Sequence, residues 1–245
     1  MPYTTIIAAE TLAAHLEEAG WRIVDARFAL ADPGYGQRAY EEAHVPGAVY
    51  ADLNRDLSDE PGGGRGRHPL PSVDSMAATF GRLGIGPGVQ VVVYDDADGM
   101  YAARLWWMLR YLGHEAVAVL DGGFARWRAE GLPVTSASAD PEPRRFDPSL
   151  DPRMVVSADE VEAIRLDASR VLVDSRAPDR YRGENETIDA VAGHIPGARN
   201  RFYKANIAAD GTMRPVDDLR REIEAVLDGV SPDRSVFYCG SGVTA

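Results

Sequence analysis

The single cysteine of the chain, Cys239, stands where a reactive thiol could be built. It follows a short apolar run at 236–238 and opens the segment CGSGVTA at 239–245. We expect the run to form a buried strand, which places Cys239 at the carboxyl end of that strand, where open α/β sheets bind ligands. Small residues at 240–242 let the backbone curl, so that successive N–H groups point toward the sulfur. Such a site stabilises a thiolate and lowers a cysteine pKa from about 8.5 to roughly 3.5–7.5.

Two further considerations bear on this interpretation of Cys239. A helix is expected to begin near Thr244, and its positive N-terminal end would also favour an anion. Against this, a lone cysteine is often simply a small buried apolar side chain. The order of strand, cysteine, glycine-rich loop and helix favours the reactive thiol.

The chain repeats a set of short motifs in the same order at a spacing close to 150 residues. The pairs are IVDAR (23–27) with LVDSR (172–176), EAHVPGA (42–48) with AGHIPGA (192–198), and VQVVVYD (89–95) with RSVFYC (234–239). A repeat of this length is the size of a domain rather than of a solenoid unit. The sequence therefore predicts two copies of one domain.

Strand and helix patterns alternate within each copy. The β-rich runs at 21–25 and 170–174 predict strands. A capping box at 157–160 opens an amphipathic helix, and apolar residues at helical spacing predict two more helices, one through Met76, Phe80 and Leu83 and one through Leu219, Ile223, Val226 and Leu227. This alternation predicts an α/β fold of two tandem domains, each a mainly parallel sheet flanked by helices.

The segment 135–153, rich in Pro, Ser and Asp, is typical of a linker. We therefore expect a first domain at 1–134 and a second at 154–245. The second half has no counterpart of residues 102–127 before it stops at Ala245, so we expect that domain to be incomplete at its C-terminus.

Composition narrows the function classes. The net charge of −12 argues against nucleic acid or an anionic membrane as a partner. No apolar run approaches the roughly 20 residues that a membrane helix needs, and the N-terminus shows no secretory signal. One cysteine makes no internal disulfide, which fits a cytoplasmic location. Five scattered histidines and one thiol lack metal-ligand spacing, so we expect neither a metal nor another cofactor.

The repeated halves, the AGHIPGA segment and the CGSGVTA loop resemble two-domain sulfurtransferases of the rhodanese family over nearly the whole chain. The loop is most similar to that of the 3-mercaptopyruvate sulfurtransferases. This resemblance implies that Cys239 takes sulfur from a small anionic donor as a persulfide and passes it to a thiol or cyanide. A thioredoxin-like protein is one candidate acceptor. Asp95 stands in the first half at the position of Cys239, so the resemblance implies a catalytically inactive first domain that forms one wall of an interdomain cleft.

The resemblance also implies a set of site residues. The candidate catalytic residues are Cys239, Ser241 and His68, and the candidate substrate-binding residues are Arg180, Gly240, Gly242, Val243 and Thr244. Arg180 would bind the donor carboxylate or sulfite, for which the planar fork of a guanidinium is well suited.

The resemblance is incomplete around His68. The family is thought to place Ser, His and Asp near the cysteine loop, but Asn54 stands at the acidic position, with Asp52 and Asp56 close by. An asparagine can orient an imidazole but cannot stabilise its cation. His68 is equally well explained as a surface residue, and its loop at 61–68 as a mobile flap or as a segment without a role.

Other charged and aromatic residues have a structural explanation. Arg176 follows a predicted strand, and we expect it to form an internal ion pair with Asp174 or Glu184. His44 and His194 occur in both halves, whereas only one half has the cysteine. Their H-x-P-G-A setting therefore indicates a structural turn and no catalysis.

Two features of the sequence indicate different sulfur donors. The small loop residues at 240–242 favour 3-mercaptopyruvate, which we predict. The lack of a second arginine about nine residues after Arg180, near Asp189, favours thiosulfate, which is the alternative.

Two other function classes fit these residues less well. A cysteine phosphatase would need an arginine where Ala245 stands. A binding-only module is a remote alternative, against which the intact Cys239 argues.

Overall fold

Strands and helices alternate along the chain, and the ladders between the strands are parallel. The computed structural model describes residues 1–62 and 65–245. The chain divides into two compact units. The first comprises Met1–Pro152 with Asp210–Thr212, and the second comprises Arg153–Ala209 with Met213–Ala245.

The first unit is built around a five-stranded parallel sheet of order β1-β5-β4-β2-β3. Its elements in chain order are β1 (Ile6–Ile7), α1 (Ala9–Ala13), β2 (Trp21–Asp25), α2 (Tyr35–Glu42), β3 (Val49–Tyr50), α3 (Val73–Arg82), β4 (Gln90–Tyr94), α4 (Met100–Tyr111), β5 (Val117–Leu120) and α5 (Gly123–Ala129). Every residue of the central strand β4 is buried, as expected when helices cover both faces of a parallel sheet.

Helices of the first unit turn apolar side chains inward. Met76 and Phe80 of α3 are fully buried, as are Leu105 and Met108 of α4. Trp127 of α5 is 0% exposed and belongs to a cluster with strand residues of the sheet. The helical spacing of Met76 and Phe80 predicted α3 correctly.

The second unit is built around a three-stranded parallel sheet of order β7-β6-β8. Its elements are α6 (Ala158–Ile164), β6 (Val171–Asp174), α7 (Pro178–Arg182), β7 (Arg199–Asn200), α8 (Val216–Leu227) and β8 (Ser235–Tyr238), with short 3₁₀ turns at Pro152–Met154, Tyr203–Asn206 and Pro232–Arg234. By sequence motif, β6, β7 and β8 correspond to β2, β3 and β4. The order β7-β6-β8 repeats β3-β2-β4, in agreement with the predicted duplication.

Local signals in the second unit gave correct predictions except for β8. The capping box is formed, because Ser157 accepts a bond from the Glu160 N–H and the Glu160 carboxylate accepts one from the Ser157 N–H. The expectation that β8 is buried was wrong, because Phe237 is 40% exposed. The physical reason is that β8 lies at the edge of its sheet, whereas β4 lies in the interior of its own. None of the helices among the described residues combines the length and apolar character that crossing a bilayer requires.

Candidate active site

Cys239 follows β8 directly, at the carboxyl end of a parallel strand, as the sequence predicts. Cys239 as a whole residue is partly exposed. Its Sγ accepts a hydrogen bond from the Gly242 N–H at 3.1 Å. Gly242 has a φ of +75°, a left-handed conformation that glycine adopts without steric cost. This glycine therefore lets the loop turn its N–H groups back toward the sulfur.

The surroundings of Cys239 favour the thiolate. Burial alone raises the pKa of the thiol, but four hydrogen bonds act in the opposite direction. They come from the Thr244 hydroxyl and from the backbone N–H groups of Ser241, Thr244 and Gly242, and together they lower the pKa below its ordinary value. The loop does this without helical structure, because residues 240–243 are bends and Thr244 is in no regular element. The expected helix near Thr244 is therefore not the source of this stabilisation.

The first unit contains the same arrangement with a carboxylate in place of the thiol. Asp95 follows β4 and is 1% exposed. Its Oδ1 accepts bonds from the N–H groups of Ala97 and Gly99, and its Oδ2 accepts bonds from those of Tyr101 and Ala102, at 2.7–2.9 Å. Burial raises the pKa of the Asp95 carboxyl, and these donors act in the opposite direction. In both halves the loop after this strand thus offers N–H groups to an acidic side chain.

A repeated ion pair fixes the strand ends in both units. Arg27 donates from Nε and Nη2 to the Asp25 carboxylate, and Arg176 donates in the same way to Asp174. Arg27 also donates to the Ala43 carbonyl. The predicted Arg176–Asp174 pair is therefore present. The alternative partner Glu184 was wrong, since it pairs with Arg182.

The repeated histidines are held by main-chain contacts. His44 Nδ1 lies 2.6 Å from the Tyr40 carbonyl oxygen, and His194 Nδ1 lies 2.7 Å from that of Tyr181. Each ring stacks on the tyrosine that supplies the carbonyl, with centroids 3.9 and 3.7 Å apart. These contacts agree with the predicted structural role.

Arg180 lies in α7, in the segment that follows β6. The carboxyl ends of β6 and β8 are adjacent, because the Ser175 N–H donates to the Tyr238 carbonyl at 2.8 Å. Arg180 donates from Nε and Nη2 to Glu186 at 2.9–3.2 Å and from Nη2 to Asp189 at 2.7 Å. Among the described residues, its Nη1 has no hydrogen-bond partner. The proposed donor-binding arginine is therefore held by two carboxylates.

Glu186 was missed in the sequence, although it anchors this arginine. Its side chain is 3% exposed and also contacts Arg176 Nη1 at 3.3 Å. Burial alone would raise the pKa of Glu186, but the Asp189 and Ile188 N–H groups and the Arg180 guanidinium lower it to about 2. The available signal was an acidic residue six positions after Arg180, in a segment with many other charged residues.

His68 belongs to the first unit and the other seven predicted site residues belong to the second. His68 is 6% exposed, and its Nδ1 has no hydrogen-bond partner among the described residues. The alternative that His68 is a surface residue is therefore wrong. Burial, with the charges of Arg67 and Arg104, lowers the pKa of the imidazole, which favours its neutral form at pH 7. Gly63 and Gly64 of the predicted flap at 61–68 lie outside the described residues.

The predicted site residues at 240–244 form the loop that follows Cys239 and have different relations to its thiol. The Gly242 N–H donates a hydrogen bond to Cys239 Sγ at 3.1 Å, and Ser241 and Thr244 help to lower the pKa of the thiol. Val243 is buried, with 7% of its surface exposed. Gly240 directly follows Cys239.

Comparison with known proteins shows to which family the chain belongs. The rhodanese-like domain family matches residues 8–130 and 157–245. The chain belongs to the rhodanese-like domain family. The two matched segments fall one in each half of the chain, as the sequence repeat predicts.

Individual relatives match this chain over nearly its whole length. A probable 3-mercaptopyruvate sulfurtransferase of Pseudomonas aeruginosa is 43% identical over 247 residues, covering 100% of this chain and 87% of the relative. A putative thiosulfate sulfurtransferase of Mycobacterium tuberculosis is 40% identical, covering 91% of this chain and 78% of the relative. The solved 3-mercaptopyruvate sulfurtransferase of Leishmania major has a TM-score of 0.85 at 31% identity, covering 98% of this chain and 67% of that one. The predicted family, fold class and enzyme class are confirmed.

Proposed function

We propose that this rhodanese-like protein transfers a sulfane sulfur from 3-mercaptopyruvate to a thiol or cyanide through a persulfide on Cys239. The single observation that carries the proposal is the Cys239 loop, where four hydrogen-bond donors lower the pKa of the thiol. A thiolate is the nucleophilic form of cysteine. Relatives that cover 91–100% of the chain carry the names of sulfurtransferases, which supports the same chemistry here.

The reaction proceeds in two displacements. In the first, the Cys239 thiolate attacks the donor sulfur, a new S–S bond forms, and the carbon–sulfur bond breaks. Its electron pair leaves with the carbon as the enolate of pyruvate, which takes up a proton. In the second, an acceptor thiolate or cyanide attacks the outer sulfur and the Cys239 thiolate leaves with the S–S electron pair. This is ping-pong covalent catalysis, and the enzyme returns to its starting form.

The loop donors serve both displacements. The attacking group and the leaving group on the enzyme are the same thiolate, and the persulfide between them is also an anion. N–H groups already directed at Sγ need no rearrangement to stabilise it. The Gly242 N–H at 3.1 Å and the Thr244 hydroxyl are the groups to which we assign this role.

We assign binding of the sulfur donor to Arg180, because its Nη1 has no hydrogen-bond partner among the described residues and can bind an oxygen of the substrate. The remaining loop residues Gly240 and Val243 shape the substrate side of the thiolate. Ser241 and His68 are proposed to assist proton transfer to the pyruvate enolate. The Nδ1 of His68, which has no hydrogen-bond partner among the described residues, supports such a role.

Thiosulfate is the second candidate donor. The observation that favours it is Asp189, an acidic residue where a second donor-binding arginine was expected. The name of the Mycobacterium tuberculosis relative points in the same direction. The acceptor is proposed to be a small thiol or a thioredoxin-like protein in the cytoplasm, where a single cysteine nucleophile stays reduced.

A donor panel on the intact chain tests the proposal. Because Cys239 is the only cysteine, one sulfur added to the intact protein, measured by mass spectrometry after donor treatment, reports this residue. We expect that addition with 3-mercaptopyruvate, and its loss on exposure to cyanide. The Cys239→Ser variant should show neither, because a hydroxyl is far less nucleophilic at neutral pH. Turnover above a few per cent of wild type in that variant would contradict the mechanism.

A further inference from the structure

The Glu186 carboxylate is a fixed group that faces two arginines. Its Oε1 accepts hydrogen bonds from the backbone N–H groups of Ile188 and Asp189, both at 2.9 Å. Its Oε2 accepts bonds from Arg180 Nε at 3.0 Å and from Arg176 Nη1 at 3.3 Å. The side chain is 3% exposed. A buried carboxylate with both oxygens bonded has one orientation, so it can fix the orientation of the arginines in turn.

Arg176 connects Glu186 to the strand beside the nucleophile. It donates from Nε and Nη2 to Asp174, the last residue of β6. In the sheet, Asp174 is paired with Tyr238, the residue that precedes Cys239. A continuous set of contacts therefore joins Glu186 to the strand end that carries the thiol.

The two halves of the chain differ at this point. Both contain the pair of an aspartate and an arginine at a strand end, whereas only the second contains the cysteine. Counted from the arginine of the repeated IVDAR and LVDSR motifs, the first half has Ala31 at the position of Arg180. It has Gln37 at the position of Glu186. The pair of Arg180 and Glu186 thus belongs to the half with the nucleophile alone, which indicates a role in the reaction rather than in the fold.

We propose that Glu186 is a positioning residue that fixes Arg180 in the orientation in which its Nη1 binds the anionic group of the sulfur donor. The proposal rests on the proposed function, because it takes Arg180 as the donor-binding group. Glu186 holds Nε and, together with Asp189, Nη2. Nη1 has no hydrogen-bond partner within the described part of the chain, so it is the group left for the substrate. Glu186 is buried and acts on the donor only through Arg180.

Fixing the guanidinium before the donor arrives improves donor binding. An arginine has a flexible stem, and ordering such a side chain during binding costs about two- to tenfold in affinity. With Glu186 in place, the ordering occurs on folding instead. A pure charge effect would have the opposite sign, because a carboxylate near the site repels an anionic donor. The direction of the change on removing the carboxylate therefore distinguishes positioning from charge.

The Glu186→Gln variant tests this role. Its Oε1 can keep the bonds from Ile188 and Asp189, while an NH₂ group replaces Oε2 and presents a donor to the donor Arg180 Nε. We expect kcat/KM for 3-mercaptopyruvate to fall about two- to tenfold, through a higher KM at an unchanged kcat. In the Arg180→Ala background the same substitution should cause no further loss, because Glu186 then has no guanidinium to position.

A second readout needs no turnover. Iodoacetate carries a carboxylate, as 3-mercaptopyruvate does, whereas iodoacetamide is neutral, and both alkylate the Cys239 thiolate. The ratio of the two alkylation rates measures how well an anion is bound beside the thiolate. We expect this ratio to fall about two- to tenfold in Glu186→Gln. The pH midpoint of the iodoacetamide reaction should not move, because the loop groups that lower the pKa of Cys239 are unchanged.

The Glu184→Gln variant is the matched control. It removes the same charge from the same segment, but its carboxylate pairs with the exposed Arg182. KM and the alkylation ratio should stay within about twofold of wild type. Melting temperatures of all variants show whether a change reflects lost structure. If Glu186→Gln does not fold, Glu186→Asp replaces it. This variant keeps the charge on a shorter side chain and should show the same fall in the alkylation ratio.

The outcomes separate the inference from the proposed function. Unchanged or higher values of kcat/KM and of the alkylation ratio in a folded variant of Glu186 would overturn the positioning role. A further loss of equal size in the Arg180→Ala background would also overturn it, because Glu186 would then act independently of Arg180. A wild-type protein that forms no persulfide with either donor would instead refute the proposed function, and the alkylation ratio would still report anion binding by Arg180.

Discussion

The Thr244 hydroxyl provides a direct test of how the loop activates Cys239. It is foremost among the groups that lower the pKa of the thiol, ahead of the N–H groups of Ser241, Thr244 and Gly242. Replacing Thr244 with valine keeps the branched shape of the side chain and the backbone N–H, and removes only the hydroxyl. We therefore expect Thr244→Val to raise the pKa of Cys239.

The size of the effect follows from the type of bond that is lost. A hydrogen bond to a charged group contributes about 1.5–3 kcal/mol, and one pKa unit corresponds to about 1.4 kcal/mol. Full loss would therefore raise the pKa by about 1–2 units. Cys239 is partly exposed, so water replaces part of the lost bond and the lower end of that range applies. Three N–H donors remain, so the pKa should stay below that of the thiol without the loop.

The assay is the rate of alkylation of Cys239 as a function of pH, since only the thiolate reacts and no other cysteine is present. The midpoint of the profile should move to higher pH by about one unit in Thr244→Val. The Ser241→Ala variant is the matched control, because Ser241 acts on the sulfur through its backbone N–H. Its midpoint should not move. An unchanged midpoint in Thr244→Val, or equal shifts in both variants, would refute the assignment of the hydroxyl.

Two further predictions concern the arginines of the two units. Arg180→Ala should lower kcat/KM for either donor by about ten- to a hundredfold, for a lost contact of about 1.5–3 kcal/mol; unchanged kinetics would remove Arg180 from the site. Arg27→Met should reduce the free energy of unfolding by about 3–5 kcal/mol in urea titrations, because it leaves the Asp25 carboxylate, 0% exposed, without its cation. The exposed pair of Arg38 and Asp32 is its control, and Arg38→Met should change stability by less than about 1 kcal/mol.

Features that depend on neighbours along the chain could be predicted from the sequence. The strand at Trp21–Asp25 and the capping box at Ser157 rest on side chains within a few residues of one another. The position of Cys239 at a strand end was predictable for the same reason, and so was the Arg176–Asp174 pair, because two residues separate its partners. The repeat of motifs predicted the repeated strand order.

Features that depend on the path of a loop or on the place of a strand in its sheet were not predictable. The burial of β8 was wrongly predicted because an apolar strand has the same local pattern at a sheet edge and in a sheet interior. The pairing of Arg180 with Glu186 and Asp189 requires that the chain fold back within a segment of many charges, where several pairings have equal local support. The Thr244 hydroxyl lowers the pKa of Cys239 across a loop that turns at Gly242.

The sequence by itself determined the family, the duplicated α/β fold and the residue that carries the chemistry, because each is encoded in local patterns and in their repetition. Only the tertiary structure decided which groups surround the thiolate and which carboxylates hold Arg180. The physical reason is that charge and hydrogen-bond energies depend on distances of a few ångströms. Those distances are set by the path that each loop takes in space, which the order of residues along the chain does not reveal.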